Sequence, residues 1–142
     1  MTELRYRAVM QVRESHALPV LDRSAHVIGI GAFEGPATFA DGEVATHRYQ
    51  GCFDLVDGSG RFHGYALWRF ADGSEIRAAY DGEARQDGAE RVAVSARLRD
   101  LSGSGRFAQA SGDGGFEGHR VEPIEQGGGT HLTGTINLRP VE

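Results

Sequence analysis

Three side chains in the first half of the chain have the type and placement to do chemistry on a small molecule. Glu34 continues the parity of Ile28 and Ile30, which would carry a carboxyl group onto the apolar side of a strand. Desolvation there raises a carboxyl pKa and suits the group to proton transfer. The neighbouring Pro36 equally suits a hydrated carboxylate at the rim of a strand. His47 and Tyr49 share the parity of Phe53 and Leu55, so an imidazole and a phenol would face inward together. They could orient a carbonyl or pass a proton, or serve as core residues hydrogen-bonded to their neighbours. Glu34 and His47 are thus the candidate catalytic pair. Tyr49, Phe53, Trp68 and Tyr80 are the candidate ligand-binding wall, because aromatic rings combine large apolar area with a polar handle. Filling a core is the alternative use of the same rings.

Other chemistries find less support. The histidines at 16, 26, 47, 63, 119 and 131 form no HxH or HExxH pattern, so no metal site is expected. Cys52 is the single cysteine, which leaves no intrachain disulfide and no local base for a thiol nucleophile. The glycine-rich stretch GSGRFAQASGDGG from Gly103 to Gly115 lacks the phosphate-loop spacing GxxxxGK[ST] and precedes no helix start, so no nucleotide and no other cofactor is implied. With 15 basic against 20 acidic residues and a formal charge of −5, interspersed rather than in blocks, the chain has no basic face for nucleic acid. It contains no run of bilayer-spanning length and no leader-like apolar stretch near Met1, so the expectation is a cytoplasmic protein without a membrane partner.

The elements that would position these residues are strands. At 142 residues and 39% hydrophobic content the chain suits one domain, 1–142, with a buried core. Leu4, Tyr6, Ala8, Met10 and Val12 alternate with Arg5, Arg7, Gln11 and Arg13, and Ile28, Ile30 and Ala32 share a parity after a break over His16–Asp22 that contains Pro19. Strands follow over Glu43–Val56, Arg61–Phe70, Ser74–Ala84, Arg91–Arg99, Gly115–Val121 and His131–Leu138, each with one dry parity. Asp-Gly pairs begin at Asp41, Asp57, Asp72, Asp87 and Asp113, the dipeptide of tight hairpins. Eight strands with one dry face apiece and short turns predict an all-β, closed antiparallel eight-stranded up-and-down barrel, wide enough for a filled interior or one small ligand.

The tract Gly103, Gly105, Phe107, Ala110, Gly112, Gly115, Phe116, Gly118, following a meander with Asp-Gly turns and preceding a closing strand, resembles the allene oxide cyclase-like and dirigent-like calycin-type barrels over residues 26–139. The resemblance implies a barrel that binds hydrophobic small molecules, an isomerase or cyclase that confines a reactive conformer of an oxygenated or polyene-like substrate, and assembly as a homodimer or homotrimer.

Three functions are therefore expected in competition. One is an isomerase or cyclase aided by Glu34 or His47. The second is a non-catalytic carrier or sensor of an apolar metabolite. The third is a ligand-free barrel plugged by its own seven Phe, four Tyr and one Trp.

Overall fold

A computed structural model describes residues 2–88 and 91–141, with Glu125 through its backbone alone. Eight strands run in the order β1 (Thr2–Val20), β2 (Arg23–Phe39), β3 (Val44–Val56), β4 (Ser59–Phe70), β5 (Glu75–Gln86), β6 (Val92–Ser104), β7 (Gly112–Arg120) and β8 (Thr130–Leu138). Each pairs antiparallel with its sequence neighbours, and β8 returns to β1 to close the barrel. The closing seam pairs Thr2 with Leu138 and continues to Met10 opposite Thr130. The all-β up-and-down barrel expected from the alternation is what forms. Among the described residues, no helix is long and apolar enough to cross a membrane.

Four Asp-Gly pairs mark hairpin turns. At Asp57-Gly58 both residues have positive φ, 52° and 80°, the backbone of a two-residue type I′ turn that matches strand twist. Two further pairs are different: Asp81 and Gly82 lie inside β5, paired with Arg97 and Ala96, and Asp113 and Gly114 lie inside β7, paired with Asn137 and Ile136.

The largest departure from the sequence reading is the segment His16–Asp22, expected as a break. Here β1 continues to Val20 across an irregularity between Val12 and Glu14. The turn that ends it, Leu21-Asp22, has φ values of 48° and 69°. Non-glycine residues pay a steric penalty in this conformation, so no glycine signal announced the hairpin. From Glu14 to Val20 the strand pairs with β2 alone, because its ladder to β8 stops at Met10. The arm projects past the barrel body and leaves Leu18 and Leu21 exposed.

Inside, small residues make room for rings. A side chain at Gly134 would collide with the Tyr6 ring, and side chains at Gly51 and Gly64 would meet the Tyr80 hydroxyl at 2.7 and 2.8 Å. The glycine-dense tract that ends β6 folds into a short 3₁₀ turn, Gly105–Phe107, at one end of the barrel. That end, here called the lower one, is sealed. Phe70 lies 5.2 Å from Phe39 and 5.0 Å from Phe107, centroid to centroid. The Arg106 guanidinium stands 5.0 and 4.8 Å from the Phe70 and Phe107 rings and is bonded to Glu43. Above this cap sits a packed layer in which Trp68 stacks on His47 at 4.5 Å and 8° while Tyr6 meets both edge-on. Trp68, Met10, Ile76 and Ile136 are fully enclosed.

Candidate functional site

The upper half of the lumen is not filled. A cavity of about 80 Å³ opens at the end where β3 meets β4 and β7 meets β8. Its walls are rings and small residues: Phe33 and Gly31 from β2, Tyr49, Gly51 and Phe53 from β3, Phe62 from β4, Tyr80 and Ala84 from β5, Val94 from β6 and Phe116 from β7. Arg120, Ile124 and Thr130 stand on the side of the β7–β8 connection. Larger concavities of about 890 and 850 Å³ exist on the outer surface, among solvent-facing Arg7, Ser95, Glu117 and Thr133. They are open grooves over the sheet.

Tyr49 is the floor between plug and cavity. Its ring lies 5.7 Å from His47 below, stacks on Phe33 at 4.8 Å and 25°, and faces Tyr80 at 5.9 Å and Phe116 at 6.3 Å. Tyr80 in turn meets Phe116 at 5.8 Å and Phe62 at 6.0 Å. Edge-to-face and offset contacts of this kind contribute about 0.5–1.5 kcal/mol per pair beyond the apolar area they bury. Burial pushes both phenols well above their ordinary range, with the charge of Tyr80 adding to the effect on Tyr49, which is hydrogen-bonded to Thr130. Both hydroxyls therefore keep their protons at neutral pH. They can donate as well as accept.

The two residues expected to do catalysis are not on this wall. Glu34 lies on the outer face, its side chain 37% exposed and 3.3 Å from the Arg13 guanidinium. The expectation that Glu34 points into the barrel is corrected: the inward row of β2 is Gly31, Phe33, Gly35, Ala37 and Phe39, while Ile28 and Ile30 are 45% and 53% exposed. Glycines inside and isoleucines outside inverted the parity that the apolar residues suggested. His47 does point inward but is buried beneath Tyr49, with Nδ1–H donating to the Leu67 carbonyl at 3.1 Å. Burial lowers its pKa from 6.5 to about 4, against the weaker opposing effect of that hydrogen bond. It is therefore a neutral, packed imidazole at pH 7.

Of the four expected wall residues, Tyr49, Phe53 and Tyr80 meet around the cavity. Trp68 belongs to the plug, stacked on His47. Phe33, Phe116, Arg120 and Thr130 were not singled out as site residues. For Arg120 a signal was available: Gly114, Phe116, Gly118 and Arg120 share one parity of β7, so an arginine ends an inward row. The remaining histidines are dispersed outside, His26 bonded to Asp54 at 2.6 Å and His119 near Asp87 at 3.3 Å. Cys52 is exposed, and no group of three metal-ligating side chains converges among the described residues.

No protein-family model, curated protein or solved structure matches the chain.

Proposed function

We propose that the protein binds a small hydrophobic molecule in the upper lumen, as a carrier or sensor of an apolar metabolite. The observation that carries this reading is the division of the interior: the lower half is packed solid by Tyr6, His47, Trp68 and Phe70, while the upper half leaves about 80 Å³ walled by aromatic rings. A barrel whose sole need was a core would gain by filling that space, since every unfilled methyl-sized void costs on the order of 1 kcal/mol. A concave apolar wall with a few polar groups at one side is the usual composition of a small-ligand site. The eight-strand order and the glycine–aromatic tract support the resemblance to allene oxide cyclase-like and dirigent-like barrels. Isomerase or cyclase chemistry is the weaker alternative, because neither Glu34 nor His47 reaches the cavity wall and the titratable groups there are neutral phenols, a guanidinium and the thiol of Cys52.

Titration with benzyl alcohol, followed by amide NMR shifts, tests the binding role. Shifts are expected at Gly51, Val94 and Phe116, with Ile76 and Trp68 unmoved. Ala84→Leu, which grows a side chain into the cavity, should abolish them while the melting curve shows an intact fold. Absence of saturable shifts in the wild-type protein, or shifts confined to the outer face, would overturn the assignment.

A further inference from the structure

We propose that the ligand of the upper cavity is a neutral carbonyl compound, a short-chain or single-ring ketone or aldehyde whose apolar body lies among Phe33, Phe62 and Phe116 and whose oxygen accepts a hydrogen bond from the Tyr80 hydroxyl. This rests on the binding role proposed above and adds to it the chemical class of the ligand.

The polar side chains on the cavity wall are the hydroxyls of Tyr49, Tyr80 and Thr130, the Cys52 thiol and the Arg120 guanidinium. Arg120 already has a partner within the protein. The Thr130 hydroxyl donates to the Gly128 carbonyl at 2.8 Å, so its single proton is taken. The Tyr49 hydroxyl, bonded to Thr130, is therefore the donor of that pair. A thiol such as that of Cys52 is only a weak donor.

Tyr80 stands apart from these. It is 3% exposed, and among the described residues its hydroxyl has no hydrogen-bond partner. Its ring is held by Tyr49, Phe62 and Phe116. The hydroxyl lies over Gly51 and Gly64, which face each other across β3 and β4, and Gly51 is itself part of the cavity wall. Phenylalanine at this position would make the same ring contacts without burying a donor. Tyr6 Oη and Trp68 Nε1 are also without partners, but both are sealed within the packed layer below.

A buried hydroxyl left unpaired bears the full cost of its lost hydration, and an acceptor carried in by a ligand removes that cost. A carbonyl oxygen brings an acceptor and no donor, so every proton at the contact is used. An alcohol adds a second donor that needs an acceptor of its own, and an ion would lose its hydration against a wall of rings. Size follows from volume. The space of about 80 Å³ is smaller than the roughly 150 Å³ of a dry cavity that accepts benzene. One ring, seated partly in the open mouth, is therefore the upper limit, and long acyl chains or fused rings are excluded.

The test pairs acetophenone with α-methylstyrene, which carries a methylene group where the ketone carries its oxygen, in amide NMR titrations of the wild-type protein and of Tyr80→Phe. Acetophenone is expected to bind at least about fivefold more weakly to the variant, while α-methylstyrene keeps its affinity within about twofold. The carbonyl stretch of bound acetophenone should lie at lower frequency in the wild type than in the variant, as an accepted hydrogen bond requires. In urea unfolding without ligand, Tyr80→Phe should be at least as stable as the wild type, because the hydroxyl it lacks has no partner to lose. A lower midpoint for the variant would show that the hydroxyl is bonded within the protein and would overturn the inference. Acetophenone unaffected by the substitution, or both probes weakened alike, would also overturn it and leave the apolar cavity standing. If neither probe binds the wild type, the cavity reading itself falls and this inference falls with it.

Discussion

Acid should destabilise this protein through a single interior imidazole. His47 is 1% exposed, stacked on Trp68, and has its pKa lowered from 6.5 to about 4 by burial. Above pH 6.5 folded and unfolded chains both hold it neutral, and it adds no pH dependence. Between pH 6.5 and about 4 the unfolded chain binds a proton that the folded chain refuses, so stability falls as pH falls, by up to 1.36 kcal/mol per pH unit. Over the whole window the loss sums to about 3 kcal/mol, a large share of the 5–15 kcal/mol typical of a domain. His47→Phe keeps an aromatic ring in the stack but cannot titrate. It also removes the Nδ1–H bond to the Leu67 carbonyl, 3.1 Å long, although that carbonyl keeps its place in the β3–β4 ladder opposite Arg48, at a cost of about 1 kcal/mol. The variant should therefore be less stable at pH 7.5, its profile should be flatter, and the two curves should cross near pH 6 by the same linkage arithmetic. Urea unfolding followed by circular dichroism at pH 7.5, 5.5 and 4.0 measures this. Acid losses from carboxylates held low by their partners, Glu75 between Arg69 and Arg77 among them, are common to both proteins and cancel in the difference. Parallel profiles, differing in slope by under about 1 kcal/mol over the range, would refute the interior assignment of His47.

Two further substitutions probe the packing that shapes the cavity and the cap. Gly51→Ala directs a methyl group at the His63 carbonyl and the Tyr80 hydroxyl; since the backbone oxygen cannot yield, a loss of about 1–3 kcal/mol in urea unfolding is expected, and an unchanged midpoint would show that the β3–β4 seam is looser than described. Arg106→Met removes the cation from between Phe70 and Phe107 and frees Glu43, with an expected cost of about 1 kcal/mol that persists in part at 1 M salt, because ring contacts are less screened than an exposed ion pair. Complete loss of the effect in salt would assign it to Glu43 alone.

The barrel was legible because period-two alternation and Asp-Gly turns are local signals that the closed sheet leaves intact. Tyr49, Phe53 and Tyr80 could be placed inside for the same reason: rings at a dry parity have one side to go to. β2 defeated that logic. Its inward positions at Gly29, Gly31 and Gly35 are glycines because Phe53, Phe33 and the Val9 backbone occupy the space their side chains would need, so the apolar residues Ile28 and Ile30 were left for the outside. Such steric reasons are non-local and invisible in one strand read alone. Trp68 had the right parity but the wrong height: alternation tells which face a residue takes, not how far along the axis it sits. The Leu21-Asp22 hairpin was hidden because its positive φ is adopted by residues that seldom take it.

The projecting arm of β1 has a consequence for solubility. Ala40 donates to the Arg5 carbonyl and Val12 donates to Gly127, so odd residues of β1 face β2 before the irregularity and even ones face away. Past it the facing swaps: the His16 carbonyl lies toward β2, 2.6 Å from where a side chain at Gly29 would begin, so even residues now face β2. Ser15, Ala17 and Pro19 therefore turn their main-chain groups toward the unpaired margin. Proline has no amide hydrogen to offer, and it sits at the outer stretch of that margin, where a foreign strand would otherwise add on. The imino ring interrupts the hydrogen-bonding row after two donors, and the arm is in this way guarded against templating fibrils from its own copies.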